Sequence, residues 1–335
     1  MPKVTIYDVA RHAGVSTATV SKVLNGTGRI SNATRLRVTH AMDELQFHPS
    51  IIASALKNRQ THSIGLLVPE ITNPFYAEVV RAIEDEALAH DYVVLVCSTA
   101  NTPEREKKQL QLLMRKQLDG LIIATTDGPD KETLEMLRMN DLRVVFIDRV
   151  FPDSPYPIVA TDHYAGGYQI VEHLIQLGHR KLAVLAESLY LCSSLERVKG
   201  FSTALQAYGL PPDSSPVLSR GFGIRAGYEL AQRLLLSPEL PTAVFATNDL
   251  VALGALQKFK EAGIVIPDQL SLVGYDDIQT AKMFSPPLTT VAQPLDEISR
   301  LVVEYLLDGD SVLTGTTLLS PKLVVRNSTA APRRL

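Results

Sequence analysis

Residues 5–25, TIYDVARHAGVSTATVSKVLN, read as two short helices meeting at a tight corner. The apolar spacing predicts a first helix over Ile6–Ala13, a turn through Gly14 and Val15, and a second helix over Thr17–Leu24 opened by Ser16. Ala10 is small where the two helices must cross closely. Gly14 supplies the left-handed turn conformation, which costs a residue with a Cβ about 1 kcal/mol or more. Ile6, Val9, Val15, Val20 and Val23 then face inward from both helices. Ser16 is a good N-cap, and a helix start with free backbone N–H groups suits a phosphate oxygen. This is a helix-turn-helix, whose second helix is the one that enters a DNA major groove.

Spacing alone does not separate a DNA reader from a structural helix pair. The exposed face does more: Thr17, Ala18, Ser21, Lys22 and Asn25 are short or hydrogen-bonding groups able to reach base edges and phosphates. Composition agrees. Of 335 residues, 45% are hydrophobic and 21% charged, with a net charge of −3, values of a globular chain long enough for two or three compact units. The charge is unevenly spread: residues 1–60 carry eight Lys/Arg against three Asp/Glu, so this segment is +5 and the remainder −8. A small basic head on an acidic body suits a DNA-binding module joined to a part that should not bind DNA.

Two distant cysteines, Cys97 and Cys192, give neither a disulfide framework nor zinc spacing, and Cys97 in the apolar run YVVLVC is expected to be a buried strand residue. No apolar run reaches the roughly 18 residues of a membrane span, and no apolar secretory region opens the chain, so the expected compartment is the cytoplasm.

The string TIYDVARHAGVSTATVSKVLNG strongly resembles the start of the LacI/GalR family of bacterial transcription regulators, and the resemblance extends over almost the whole chain. It implies an all-α helix-turn-helix head over residues 1–49, with DNA contacts from Thr5, Tyr7, Ser16, Thr17, Ala18, Ser21, Lys22 and Asn25. Ser31 is expected to cap a third helix running to about Leu45, with Val38, Ala41, Met42 and Leu45 on one face. His48-Pro49 then breaks the helix, and residues 50–61 form a hinge and linker. The segment SIIASALKN is too short to be stable as an isolated helix. In the resembled family it folds when two copies meet in the minor groove, so Ala53 and Leu56 join the expected DNA contacts. An Ala-rich helix with one protruding leucine suits a wedge that unstacks a base step; a plain linker is the alternative.

From Ser63 the texture changes. SIGLLVP, YVVLVCST, GLIIATT and RVVFIDR are short β-rich runs separated by segments of helical period, and the alternation then recurs through KLAVLAES, TAVFATND and LSLVGYDD. This predicts two doubly wound parallel-sheet lobes with a cleft at the carboxyl ends of their strands. The resemblance implies a periplasmic-binding-protein-like body over 62–335: a first lobe of about 62–160 plus 292–320, a second of about 161–291 plus 321–330. The chain should cross back near its end, the helix DEISRLVVEYLLDGD lying on the first lobe and the last strand on the second. The ending APRRL carries no leucine heptads, hence no tetramerising coiled coil.

Polar residues recur at the predicted strand ends. Asn73, Phe75 and Tyr76 follow the first; Asp148 and Arg149 end the fourth; Arg197 begins a helix, Phe222 lies in a loop, Asn248 and Asp249 end FAT, Asp276 and Asp277 end LVGYDD, and Gln293 sits in the crossover. Asp249 and Asp277 fit a capping role alone. Carboxylates, Asn and Arg suit a sugar's paired hydroxyls, and Phe75 or Phe222 its apolar face. Family members carry effector contacts at the positions matching Asp148, Arg197, Phe222, Asn248, Asp276 and Gln293, and Asp148-Arg149 resembles the pair of carbohydrate-responsive rather than purine-responsive members. The expected partners are near-palindromic operator DNA, a sugar-like effector and a second copy of the chain, with no cofactor and no metal.

Enzyme-like strings are incomplete. Gly221-Phe-Gly223-Ile-Arg-Ala-Gly227 lacks a strong preceding strand and the acidic residue about 20 positions on that a dinucleotide fingerprint needs. Ser54-Ala-Leu-Lys57 lacks the companion motifs of a β-lactamase, and the eight histidines show no metal-ligand spacing. The rival from another class is a sugar-binding transport component with the same two-lobed body; residues 1–60 and the missing signal region argue against it.

Overall fold

The computed structural model describes residues 4–24, 27–47, 61–124, 128–140, 142–151 and 153–333. The expected contacts Asn25, Ala53 and Leu56, and the hinge segment as a whole, lie outside the described residues. Contacts divide the chain into two compact units, Met1–Thr61 and His62–Leu335.

In the first unit Ile6–Ala13 forms α1, Thr17–Leu24 α2 and Asn32–Glu44 α3. Each start has its cap. The Thr5 N–H and hydroxyl both donate to Asp8 Oδ2, at 3.0 and 2.6 Å. Ser16 Oγ accepts from the Thr19 N–H at 3.2 Å and Ser31 Oγ from the Thr34 N–H at 3.3 Å. Gly14, with φ of 64°, ends α1 in the left-handed conformation and lets the Val15 N–H reach back to the Ala10 carbonyl. Val9, Val20 and Val38 are fully buried at the junction of the three helices, with Ala10, Ala13 and Ala41 allowing close approach.

The second unit begins with strand β1 (Ser63–Val68), followed by α4 (Pro74–Ala89), β2 (Val93–Ser98), α5 (Pro103–Met114), β3 (Gly120–Ile123), α6 (Lys131–Arg138), β4 (Arg143–Ile147) and β5 (Ile158–Thr161). It continues through α7 (His163–Gln176), β6 (Leu182–Ala186), α8 (Cys192–Ala207), β7 (Val217–Ser219), α9 (Gly223–Leu234), β8 (Ala243–Ala246), α10 (Asp249–Glu261) and β9 (Ser271–Val273). Strand β10 (Thr290–Ala292), α11 (Leu295–Leu307), β11 (Thr316–Leu319) and β12 (Lys322–Val324) complete it.

A six-stranded parallel sheet runs in the order β11-β5-β4-β3-β1-β2, and a four-stranded one in the order β7-β6-β8-β9. The central strands β3, β5, β6 and β8 are buried at every residue, as parallel strands covered on both faces must be. Strand β2 differs. It lies at the sheet edge, Val93 is 63% exposed, and Cys97 is half-buried rather than a core residue, because an edge strand has a neighbour on one side only.

The crossing-back of the chain is visible in the packing. Ile298, Val302, Val303 and Leu306 of α11 join the same buried cluster as Ile64, Leu66 and Ile122 of the first sheet, and β11 pairs with β5. Strand β12 pairs antiparallel with β10, and its Leu323 packs against the second sheet's core.

Close helix packing in the second lobe depends on facing glycines. A Cβ on Gly167 of α7 would stand 2.0 Å from the Arg197 carbonyl oxygen of α8, and one on Gly200 of α8 2.0 Å from the Tyr164 carbonyl oxygen. The pair holds α8, and with it Arg197, tightly against α7.

Candidate functional site

On the head, α2 presents Ser16, Ala18 and Lys22 exposed and Thr17 and Ser21 half-buried, while Tyr7 of α1 is 69% exposed. Ser16 and Thr5 spend their hydroxyls on caps, so both fix helix starts as well as standing at the surface.

In the second unit, the carboxyl ends of strands from both sheets open onto one cavity of about 240 Å³, somewhat below the 300–1,000 Å³ of drug-sized pockets. Of the expected effector residues, Asn73, Phe75, Asp148, Arg149, Arg197, Phe222, Asn248 and Asp276 all line it. Gln293 does not. It stands behind the wall, donating from Nε2 to Asp276 Oδ1 at 2.7 Å and accepting from the Thr161 hydroxyl at 2.7 Å, so it orients a lining carboxylate. Asp249 and Asp277 are braces rather than simple caps: buried Asp249 accepts from Thr290 Oγ1 at 2.6 Å and the Ile278 N–H at 2.9 Å, and Asp277 pairs with Arg326 at 2.6 Å.

The first-sheet side is built on Asp148. Its Oδ2 accepts from the Tyr76 hydroxyl at 2.8 Å and lies 3.6 Å from Arg149 Nε. Burial, with the Asp148 charge beside it, pushes the Tyr76 phenol well above its ordinary value, so it stays a donor. Opposite, buried Arg197 is held from four directions. Nη1 donates to the Thr247 carbonyl at 2.6 Å, Nε to His163 Nδ1 at 3.3 Å, Nη2 lies 3.4 Å from Asp276 Oδ1, and the guanidinium sits 3.8 Å over the Tyr275 ring. Burial and the Arg197 charge push His163 well below its ordinary value, which keeps it a neutral acceptor at Nδ1.

Asp276 is the most perturbed lining group with a defined value. Burial pushes its carboxyl up to about 7, against the opposing pull of Arg197 and the Gln293 hydrogen bond. Asp148 and Asp276 also sit at positive φ, 73° and 107°, a backbone cost carried where the side chains must be aimed.

The lining also includes residues outside the sequence candidates, among them Glu70, Asn101, Glu187 and Ser193. Glu187 is the first residue after β6, as Asp148 is after β4, and Asn248 and Asp276 follow within three residues of their strands; the signal is the acidic residue that closes KLAVLAES. Glu187 Oε2 accepts from Asn248 Nδ2 at 2.9 Å, while Asn248 Oδ1 caps α10 by accepting from the Val251 N–H at 2.8 Å.

Two family models match this chain: "Bacterial regulatory proteins, lacI family" over residues 5–50, and "Periplasmic binding proteins and sugar binding domain of LacI family" over residues 61–311. The chain belongs to the LacI family of bacterial regulatory proteins. Among its curated relatives, the HTH-type transcriptional regulator DegA of Bacillus subtilis is 38% identical over 98% of both chains. The HTH-type transcriptional repressor PurR of Photobacterium profundum is 35% identical over 97% of this chain and 98% of its own. The lac repressor dimer bound to operator and the anti-inducer ONPF superposes with a TM-score of 0.87 at 31% identity, over 98% of this chain and 100% of that one. An Enterococcus faecium LacI family regulator with bound ribose superposes at 0.72 with 32% identity, over 81% and 100%.

As a LacI family member, this chain is an α-helical helix-turn-helix head joined to a two-sheet periplasmic-binding-protein-like body. Among the described residues no helix is long and apolar enough to cross a membrane, and no group of three His, Cys, Asp or Glu is placed to hold a metal.

Proposed function

We propose that this chain is a cytoplasmic transcriptional repressor that binds a near-palindromic operator as a homodimer and responds to a small carbohydrate-like effector. In this reading residues 1–49 read the DNA, with Thr17, Ala18 and Lys22 toward base edges and Thr5, Tyr7, Ser16 and Ser21 toward the backbone. Residues 50–61, with Ala53 and Leu56, enter the minor groove. The lac repressor with its operator and the regulator with bound ribose support both halves of the reading. The regulator names of the relatives support a binding rather than a catalytic role for the cavity.

The observation that carries the proposal is the shared cavity. Asp148 and Arg149 reach it from the first lobe, and Arg197, Asn248 and Asp276 from the second. A polyol bonded to both sides favours the lobe arrangement in which both reach it, and only such a difference in affinity shifts a conformational equilibrium. Fixed carboxylate acceptors and guanidinium donors match ring hydroxyls, and Phe75 and Phe222 offer faces to C–H surfaces.

Selection of binding sites from random DNA by the purified chain tests the regulator half. Enrichment of a two-fold symmetric site is expected, and recovery of unrelated sequences contradicts it. Thermal-shift titration with saccharides and with purine bases tests the other half; stabilisation by a purine base and by no saccharide contradicts it.

A further inference from the structure

Four buried or half-buried carboxylates face the cavity, Glu70, Asp148, Glu187 and Asp276, but only two arginines do. Arg149 stands beside Asp148 at 3.6 Å and Arg197 beside Asp276 at 3.4 Å. Of the other two, Glu70 Oε1 accepts from the Thr72 hydroxyl at 2.9 Å, and the Glu187 carboxylate accepts from a neutral side chain, Asn248. That partner is the N-cap of α10, so the Glu187 carboxylate sits at the start of a 13-residue helix whose dipole places about half a positive charge there. A helix start beside Arg197 is where a ligand's phosphate or carboxylate would otherwise settle. In this chain the protein's own anion already occupies it.

We propose that Glu187 is a specificity-determining residue that makes the cavity select an uncharged polyhydroxyl effector and reject its phosphorylated or carboxylated counterparts. The inference rests on the effector-cavity reading above. The physics is like-charge repulsion: a ligand anion entering the cavity beside Glu187 meets a negative charge held in place by Asn248. A neutral sugar meets instead a hydrogen-bond acceptor, because Oε2 is taken by Asn248 while Oε1 has no hydrogen-bond partner among the described residues. Burial raises the Glu187 carboxyl and so works against its charge, while Arg197 and Arg149 pull it the other way and favour the carboxylate.

The test pairs neutral sugars with their own anionic derivatives: glucose with glucose 6-phosphate and glucuronate, and ribose with ribose 5-phosphate. Calorimetric titrations use the full chain, E187Q and, as a second variant, E187A. Gln keeps an oxygen for Asn248 and removes only the charge. The parent chain is expected to bind a neutral member at least about tenfold more tightly than its phosphate, and both variants to shrink that ratio by about tenfold or more. A parent chain that binds a phosphate as tightly as the free sugar overturns the proposal, as does an unchanged ratio in both variants, or a panel without a neutral binder. Blocking the cavity with Ser193→Trp separates the two levels. If binding survives the block, the cavity reading fails; if the block abolishes binding while the ratio ignores Glu187, only the specificity inference fails.

Discussion

Asp276→Asn isolates the energetics of the site without a known ligand. Burial raises the Asp276 carboxyl from an ordinary 3.8 to about 7. Between those values the folded chain holds a proton that the unfolded chain has released. The group therefore stabilises the fold at low pH, and that contribution is lost as pH rises through about 7. At about 1.36 kcal/mol per unit, the loss between pH 5 and pH 8 is about 2–3 kcal/mol. Asn carries no proton to lose. It keeps a carbonyl oxygen for Gln293 and Arg197 and tolerates the positive φ of this position better than a β-branched residue would. Parent and variant should therefore unfold at similar temperatures at pH 5, where Asp276 is protonated. By pH 8 the variant should have gained about 4–12 °C relative to the parent, taking about 2–4 °C per kcal/mol for a large domain. Scanning calorimetry of both chains across this range measures the difference directly. Parallel Tm profiles would show that Asp276 titrates like an exposed carboxylate and refute the reasoning.

Arg197→Ala removes a group 3.4 Å from Asp276 and is expected to abolish the effector's influence on operator binding, leaving operator affinity without effector within a few-fold; a variant responding at the same effector concentration places the site elsewhere. Replacing Thr17 and Ala18 together should change the preferred half-site while non-specific affinity stays nearly intact, and an unchanged preference in site selection contradicts that assignment. Gly167→Ala drives a methyl against the Arg197 carbonyl and should lower the urea midpoint by the equivalent of about 1–3 kcal/mol while weakening effector binding; an unchanged midpoint shows the helices separate freely.

The parts of the fold legible in the sequence are those where one local rule acts alone. Ser16, Gly14 and Ser31 announce the head's helices because caps and left-handed turns are decided within four residues. Buried parallel strands such as LAVLA and AVFA are legible for the same reason, being apolar throughout. Strand β2 was harder, since VVLVC has the same texture at a sheet edge as in the centre; neighbours far along the chain decide exposure.

At the cavity, strand-end polarity located Asp148, Asn248 and Asp276 but could not say which polar group faces inward. Gln293 and Asp276 differ by one layer, a distinction set by the Thr161 and Arg197 contacts rather than by residue type. Glu187 obeys the same strand-end rule, yet a single acidic residue after a strand is indistinguishable in sequence from a helix cap. Its significance rests on the charges gathered around the cavity, which needs the ends of β1, β4, β6 and β9 all in place.

One ligand, gripped from both lobes, is expected to change the affinity of the head for operator. Operator titrations followed by fluorescence anisotropy, with and without a saturating sugar, give one coupling factor. Calorimetric titrations of that sugar, with and without operator, give a second. Linkage requires the two to agree, and a factor of about 5–150 is expected for an allosteric pair. A sugar that binds tightly yet leaves operator affinity unchanged would contradict the claim.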